Sequence, residues 1–268
     1  MLTAVTVVAY LFLVVAFALA AIFVKALDRR GFLASVLVGY SIILGGGLQW
    51  FAIVAVFFTL GVAFTWYKYE YKKKLGGAQE KGGARNWPNI LANGGLASVF
   101  AVGGFFNPGP AFAILFLGSV STAAADTVAT ELGLLSRHQP RLITNPSKCV
   151  RPGTSGGVST LGFGGAVLAS LVIGVMGFFL GIIKSPLLVL LVCLAGGLGG
   201  ALFDSLLGAT FQRKGYCRVC MKPTEALRHC GEPTQMTGGV SFIENNVVNV
   251  FATLVGAGAA LAVALAVA

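Results

Sequence analysis

Long apolar stretches are the feature of this sequence that most restricts its fold. A helix that spans a bilayer needs about 20 mostly apolar residues. We identify eight such stretches, at residues 3–26, 31–45, 48–66, 89–105, 109–134, 156–182, 186–211 and 245–267. With 56% hydrophobic and 10% charged residues, the composition is that of a membrane protein. We therefore predict an all-α fold, a polytopic transmembrane helix bundle of about eight spans, forming a single integral membrane domain over residues 1–268.

Basic residues separate the loops into two sets. With eight spans, 18 of the 19 Lys and Arg residues lie on one side of the bundle, and Lys184 is the exception. The larger basic loops cover residues 67–88, 136–155 and 212–243. By the positive-inside rule this side is cytoplasmic and both termini are outside. Topology alone explains the charge, but a basic face also concentrates anions such as nucleotides and lipid phosphates. Nucleic acid is not an expected partner, because no soluble domain presents the charge.

Two carboxylates, Asp126 and Asp204, lie inside predicted spans. A charge at the bilayer centre costs roughly 2.5 to 3.5 kcal/mol, so such an acid indicates a functional site. Both spans enter from the outside, and the two acids reach a similar depth near the cytoplasmic side. Polar residues of oppositely directed spans reach the same depth, namely Asn89, Asn93, Thr154, Ser155, Ser159, Asn245, Asn246 and Asn249. We predict a polar chamber, closed on the outer side, in which Mg²⁺ is held by oxygen ligands. For Asp126 the alternative is a structural pairing with a buried Lys or Arg.

Helical spacing places further polar groups around Asp126. Thr122, Asp126 and Thr130 recur at every fourth residue, which puts them on one helix face. Glu131 lies in the last helical turn, where the helix dipole disfavours an anion. We expect it to pair with a cation such as Arg137 or a metal, unless it lies at the aqueous surface.

Glycines mark two places where backbones approach closely. Gly200 and Gly208 flank Asp204 on one helix face, which allows a neighbouring helix or loop to approach the acid. A second glycine-rich segment, PGTSGGVS at residues 152–159, is expected at the start of a long helix, where free N–H groups bind phosphate. It lacks the Gly-Lys-Ser/Thr order of a P-loop. The alternative is that this segment is only a glycine-rich turn at the entry of the helix and binds no phosphate.

The segment of residues 67–95 is also basic. Tyr67, Tyr69 and Tyr71 are typical of anchoring at lipid headgroups. In GGAQEKGGAR, glycines allow close approach to a ligand, and Lys81 and Arg85 are within reach of phosphate. Phosphate binding and plain juxtamembrane anchoring both explain this segment.

Four potential soft ligands lie in the last basic loop, Cys217, Cys220, His229 and Cys230. In a reducing compartment this set indicates structural Zn²⁺, although free thiols or a disulfide remain alternatives. Ligation of one metal by adjacent His and Cys would be unusual.

Five motifs in order carry a family resemblance: GGAQEKGGAR, ADTVATELG, PGTSGGVS, FDSLLGATFQ and ENNVVN. Together they resemble the integral membrane family that includes the chloroplast phytyl-phosphate kinase and an animal transmembrane relative. The family is more distantly similar to phytol kinase, dolichol kinase and lipid cytidylyltransferases. The resemblance implies CTP-dependent phosphorylation of a phytyl- or geranylgeranyl-type prenyl monophosphate to the diphosphate.

The resemblance also implies roles for residues. The related enzymes carry an Asp-Thr helix, a Lys and a glycine-serine turn, which match Asp126, Thr127, Lys148 and residues 153–155 here. Ala125 replaces the glycine that is common before the Asp-Thr pair in the kinases.

Our full hypothesis assigns Mg²⁺ to Asp126 and Asp204 and catalytic roles to these acids, Glu131 and Lys148. The expected nucleotide- and phosphate-binding residues are Lys81, Arg85, Asn93, Thr127, Arg151, Gly153, Thr154, Ser155, Gly156, Gly157, Asn245, Asn246 and Asn249. CTP or another nucleoside triphosphate, a prenyl monophosphate and membrane lipids are the expected partners. A cytidylyltransferase that forms a CDP-lipid, and a transporter or flippase, are the alternatives. The sequence does not predict the oligomeric state.

Overall fold

A bundle of long helices forms the structure, a computed structural model that describes residues 3–75 and 80–267, without the side chains of Glu80 and Lys81. The helices are α1 (Ala4–Phe23), α2 (Arg29–Trp66), α3 (Tyr69–Lys74), α4 (Trp87–Phe106), α5 (Pro110–Gly133), α6 (Thr160–Phe179), α7 (Pro186–Thr210) and α8 (Asn245–Val267). In the described part, every helix except the short α3 is long and apolar enough to cross a membrane, which makes seven. The predicted all-α, polytopic bundle is confirmed.

Helix α2 folds back on itself at Gly47, whose φ of +80° and ψ of −175° are not helical. Ser35 and Phe58 line one cavity, although a straight helix would hold them about 35 Å apart. Residues 29–46 and 48–66 are therefore two antiparallel halves, each about 27 Å long and sufficient for one crossing. The helices described here thus make eight crossings, and the two halves of α2 correspond to the second and third predicted spans.

Helix α5 is the centre of the bundle. Two-thirds of its most apolar window is buried (67%), more than in any other described span, and it packs against α2, α4, α6, α7 and α8. Small residues permit this packing, since a Cβ added to Gly196 of α7 would lie 2.7 Å from the Cα of Gly118. The Ser121 hydroxyl adds a hydrogen bond across this interface, to the Cys193 carbonyl at 2.7 Å. The position of any site on α5 is therefore rigidly set by its neighbours.

The basic loops meet at one end of the bundle. Arg85 donates its N–H to the Ala26 carbonyl at 2.9 Å and accepts from the Asp28 N–H at 3.1 Å, which joins the α1–α2 and α3–α4 connections. The loop after α5 reaches the end of α7, where Gly156 packs on Ala209. Lys72 of α3 pairs with Glu131 near the end of α5, which links the two pairs of connections.

Short antiparallel strands stiffen two of these loops, and the sequence analysis predicted none of them. Between α5 and α6, β1 (Arg141–Leu142) pairs with β2 (Asn145–Cys149) and β3 (Gly157–Val158). Between α7 and α8, β4 (Lys214–Cys217) pairs with β5 (Lys222–Thr224) and β8 (Gln235–Gly238), and β6 (Arg228–His229) pairs with β7 (Glu232–Pro233).

The glycine-rich turn lies outside α6, so the prediction that it begins a helix is wrong. Gly153 and Gly156 have φ values of +82° and +80°, in the left-handed region that glycine tolerates. Strand β3 follows the turn, and only then does Ser159 cap α6 by accepting from the Gly162 N–H at 3.1 Å. Any phosphate bound by the turn would meet the N–H groups of a loop, not those of a helix end.

Candidate functional site

The packing of α5 on α7 brings Asp126 and Asp204 to one level. The helices run parallel, because Gly118 lies against Gly196 and, one turn later, Thr122 lies against Gly200. The next turn of each helix carries the acids. Asp126 is one of the charged groups close enough to Asp204 to repel its carboxylate. The register of α5 against α7 therefore places the two partly buried carboxylates at the same level.

Asparagines extend this acidic site to α8 and α4. With its amide oriented to satisfy its neighbours, Asn249 donates to Asp204 Oδ2 at 3.0 Å and to the Asn245 carbonyl at 3.1 Å. Its oxygen accepts from Asn93 Nδ2 at 3.2 Å, and Asn93 also donates to the Asn89 carbonyl at 2.9 Å. Asn93 and Asn249 are buried, so the network fixes Asp204 from one side.

The other two residues expected from α8 lie at its start and nearer the surface. The Asn245 side chain is exposed, and only the Asn245 carbonyl joins the network. Asn246 lines a groove of about 220 Å³ between α4 and α8, beside Trp87 and Val250.

Glu225 is a third carboxylate at the site, which the sequence analysis missed. It is the second charged group that repels Asp204. The Ser155 hydroxyl donates to one Glu225 oxygen, and Gln212 Nε2 donates to the other at 2.7 Å. Arg213 holds the Glu225 main chain, donating to its carbonyl at 3.1 Å. Burial raises the pKa of Glu225 above its ordinary value, and the hydrogen bonds from Ser155 and Gln212 oppose this shift.

No spacing rule applies to Glu225, because it lies in an irregular segment between two pairs of metal-type ligands. The only signal in the sequence is indirect: a loop closed by Cys217, Cys220, His229 and Cys230 must return towards α7, and Glu225 lies between the two ligand pairs.

The glycine-rich turn lies one helical turn beyond Asp204. The missing side chain of Gly208 leaves room for the Gly156 nitrogen, 3.0 Å from where a Cβ would be, and for the Ser155 Cβ at 3.3 Å. Gly157 and Thr154 donate their N–H groups within the turn. Among the described residues, the N–H groups of Gly153, Ser155 and Gly156 donate to no acceptor. Gly153 and Ser155 are not buried, so their N–H groups remain available to an anion that approaches the acids.

Two predicted phosphate ligands lie apart from the acids. Lys148 is exposed on β2, and Arg151 is exposed at the start of the turn. Within residues 3–75 and 80–267, neither side chain makes a hydrogen bond or ion pair, and Thr154 is likewise exposed. The side chain of Lys81 lies outside the described part of the chain.

Glu131 is buried in an ion pair with Lys72 of α3, not with the expected Arg137, which is exposed. Lys72 Nζ also donates to the carbonyls of Phe64 at 2.7 Å and Thr65 at 2.8 Å. The Thr65 hydroxyl donates to Glu131 Oε1 at 3.0 Å. Because Glu131 is only 2% exposed, it does not lie at the aqueous surface. Its contacts fasten α3 to α5, which is a structural role.

Arg85 and Thr127 meet at a different face of α5. A Cβ on Gly61 would overlap Arg85 Nη2 and lie 3.3 Å from Thr127 Cγ2, so both side chains reach this point of α2. The guanidinium carbon lies 5.2 Å from the centre of the Phe58 ring. Thr127 directly follows Asp126, so this cation lies beside the acidic site on the neighbouring helix face.

Cys217, Cys220, His229 and Cys230 are brought together, with their ligand atoms within 4.8 Å of one another. His229 Nδ1 lies 3.4 Å from Cys220 Sγ and 3.3 Å from Cys230 Sγ. Adjacent ligands are possible because Cys230 and Gly231 turn the β6–β7 hairpin with φ values of +53° and +84°. Hydrogen bonds, chiefly from the Cys220 N–H, lower the pKa of Cys217 to about 6. All five cysteines, each within the described residues, are unpaired, and this donor set fits tetrahedral Zn²⁺.

Several known proteins are similar to this chain in sequence. The family model described as integral membrane protein DUF92 matches residues 12–257. An uncharacterized membrane protein of Methanocaldococcus jannaschii is 36% identical over 192 residues, covering 71% of this chain and 77% of that protein. In Arabidopsis thaliana, the protein named PGR is 32% identical over 248 residues, covering 84% of each chain. The chloroplastic protein VTE6 of the same plant is 31% identical over 196 residues, covering 71% of this chain and 58% of that protein. No solved structure matches the chain. The predicted family resemblance is confirmed.

Proposed function

Because this chain belongs to the DUF92 family of integral membrane proteins, we propose that it is a membrane-embedded prenyl-phosphate kinase. It transfers the γ-phosphoryl group of CTP to a phytyl- or geranylgeranyl-type monophosphate and forms the diphosphate. The observation that carries the proposal is the convergence of Asp126, Asp204 and Glu225 beneath a turn with unused N–H groups. The motif resemblance to the phytyl-phosphate kinase family, and the similarity to chloroplastic VTE6, support the choice of substrate.

The acidic cluster explains the metal requirement that we propose. Three carboxylates close together in a low-dielectric bundle repel one another unless a cation neutralises them. Asp126 and Asp204 would hold Mg²⁺, with Glu225 beside them, since hard divalent ions prefer oxygen ligands. When bound, Mg²⁺ supplies charge neutralisation for the nucleotide phosphates. The free N–H groups of Gly153 and Ser155 would hold phosphate oxygens at the same place.

Phosphoryl transfer needs positioning and charge stabilisation more than covalent help from the protein. An oxygen of the prenyl phosphate attacks the γ-phosphorus of CTP and forms a new P–O bond. The bond from that phosphorus to the β–γ bridging oxygen breaks, and CDP leaves with its electron pair. The nucleophile is already an anion, so no general base is required. Asn93 and Asn249 orient Asp204, and the glycine-rich turn orients the nucleotide.

The proposed orientation follows from the basic loops. They share the face next to the acids, which the positive-inside rule makes cytoplasmic, with both termini outside. CTP would enter from this side, and the positive charges of Lys81, Lys148 and Arg151 would attract it. The prenyl chain would remain within the bilayer while its phosphate meets the nucleotide.

Labelled CTP distinguishes the reactions that this site could perform. Purified protein is incubated with Mg²⁺, geranylgeranyl monophosphate and CTP labelled at the γ- or the α-phosphorus. We expect only the γ-label in the lipid product, which gains the mass of one phosphoryl group. Lipid carrying the α-label, with release of pyrophosphate, would show a cytidylyltransferase instead. Transfer of prenyl phosphate across liposomes without nucleotide consumption would show a transporter or flippase.

A further inference from the structure

One buried nitrogen of the Arg85 guanidinium has no hydrogen-bond partner among the described residues. Nη1 is buried and, within the described part of the chain, is alone among buried side-chain nitrogens and oxygens in lacking a partner. Hydrogen bonds to Ala26 and Asp28 fix the backbone of Arg85, and its guanidinium packs on the Phe58 ring. A buried donor without a partner costs free energy, more so when it is charged. This atom is therefore a candidate contact for an absent ligand.

The charges around Arg85 specify the sign of that ligand. Glu131 is the carboxylate whose field reaches Arg85, but it is already paired with Lys72. Lys72 and Arg85 thus both lie near the Glu131 carboxylate, which pairs directly only with Lys72. An additional anion would balance them, and a phosphate suits a guanidinium because both present several hydrogen-bonding atoms in a fixed geometry.

An apolar cavity begins beside the same arginine. Its volume is about 60 Å³, and it lies between α1, both halves of α2, and α4. Phe58, which the guanidinium covers, and Leu27, which pairs with Arg85 in a β-bridge, both belong to its lining. Val14, Val38, Phe51 and Ile90 supply further apolar walls. A cavity with such a lining excludes water and accepts apolar groups.

We propose that Arg85 binds the phosphate of the prenyl monophosphate and that the cavity between α1, α2 and α4 receives the first part of its isoprenoid chain. This inference rests on the proposed function and assigns Arg85 to the lipid substrate rather than to the nucleotide. Thr127, whose methyl group reaches the same point of α2 as the guanidinium, lies one residue from Asp126. The site therefore holds the acceptor phosphate on the face of α5 next to the acids, within reach of the nucleotide that they bind through the metal. The rest of a long chain lies in the bilayer.

Binding of the lipid in the absence of nucleotide tests this site separately from turnover. Native mass spectrometry measures geranylgeranyl monophosphate bound to the purified protein and to the Arg85→Met variant. We expect affinity to fall about tenfold or more in the variant, because a charge-assisted contact is lost. Arg85→Lys keeps the charge and is expected to fall between the two. Equal affinities of wild type and Arg85→Met would overturn the assignment.

Folding and turnover are controlled by two further measurements. Arg85→Met removes an unpartnered charge, so we expect its unliganded melting temperature to equal or exceed that of the wild type. Asp126→Asn is expected to bind the lipid phosphate normally. If the wild type proves to have no kinase activity but lipid affinity still depends on Arg85, the site stands and the proposed function fails. If turnover occurs but lipid affinity does not depend on Arg85, the proposed function stands and the assignment of Arg85 fails.

The chain-binding half is tested on α2. Ala55 lines the cavity, whereas Ala63 is exposed on the same half of α2. We expect Ala55→Phe to weaken geranylgeranyl monophosphate binding about tenfold and Ala63→Phe to leave it unchanged. Ser35→Leu fills the cavity from the other half of α2 and should reproduce the effect if Ala55→Phe misfolds. Unchanged binding in both cavity variants, or full displacement of the lipid by equimolar inorganic phosphate, would contradict a site for the chain.

Discussion

Gly200 of α7 lies so close to Thr122 of α5 that a side chain on the glycine would overlap the threonine. The Thr122 hydroxyl donates across the same interface to the Gly196 carbonyl at 2.8 Å. These contacts fix the register of two parallel helices. Asp126 and Asp204, one turn further along each helix, are side by side as a consequence.

We expect Gly200→Ala to separate α5 from α7 at the level of the acids. Overpacking of this kind lowers the free energy of unfolding by about 1 to 3 kcal/mol. Turnover should fall even in the fraction of the variant that is folded, because the carboxylates move apart. Gly258→Ala is the matched control, since a Cβ there meets nothing within 4 Å. Melting temperature and initial rate measured on both variants give the comparison. Normal turnover in Gly200→Ala would show that the register does not position the acids.

Lys72 and Glu131 form a buried ion pair whose single variants should be severely destabilised. Lys72→Met or Glu131→Gln leaves the other charge uncompensated, which costs about 3 to 5 kcal/mol. The double variant Lys72→Met/Glu131→Gln removes both charges and should recover most of that loss. Unfolding in detergent measures the cycle, with exposed Lys73→Met as the control. A double variant as unstable as the sum of the singles would refute the pairing.

The four-residue cluster of Cys217, Cys220, His229 and Cys230 predicts one zinc per chain. Cys217→Ser and Cys220→Ser should each lower the zinc content measured by elemental analysis, whereas exposed Cys149→Ser should not. Because the same loop carries Glu225 to the acidic site, loss of zinc should also reduce turnover. Full activity in a zinc-free variant would separate the cluster from catalysis.

Because the Glu225 carboxyl is buried, we expect the stability of the folded protein to depend on pH in magnesium-free buffer. Its pKa is raised in the folded protein by burial. The carboxyl is therefore neutral below its ordinary pKa in both states, where it has no effect. As the pH rises from the ordinary pKa to the folded-state pKa, ionisation in the unfolded state increasingly favours unfolding, and the effect is constant above the folded-state pKa. Glu225→Gln should gain stability relative to wild type over this range. Parallel melting-temperature profiles for the two proteins would contradict the burial of this carboxyl.

The sequence predicted the parts of the site that obey helical periodicity. Hydropathy located the spans, and the four-residue spacing of Gly200, Asp204 and Gly208 indicated which face of α7 meets its neighbours. The break at Gly47 was also readable, as the gap between two short apolar stretches. These features depend on local geometry, which a repeating pattern records.

The remaining contacts depend on irregular segments. Lys72 meets Glu131 across 59 residues, and Ser155 meets Glu225 across 70, through loops without a sequence period. The strands of β1 and β3 have two residues each, too few to leave an alternating pattern. The glycine-rich turn was recognised but placed on a helix, because its composition does not reveal the strand that follows it.

Binding of a divalent ion is the most direct test of the central claim that Asp126 and Asp204 act as one metal site. Mn²⁺ replaces Mg²⁺ as a spectroscopic probe, and electron paramagnetic resonance counts the bound ion in the presence of a non-hydrolysable CTP analogue. We expect one tightly bound Mn²⁺ in the wild type and at least about tenfold weaker binding in both Asp126→Asn and Asp204→Asn, with folding retained. Wild-type Mn²⁺ affinity in either variant would contradict the shared site.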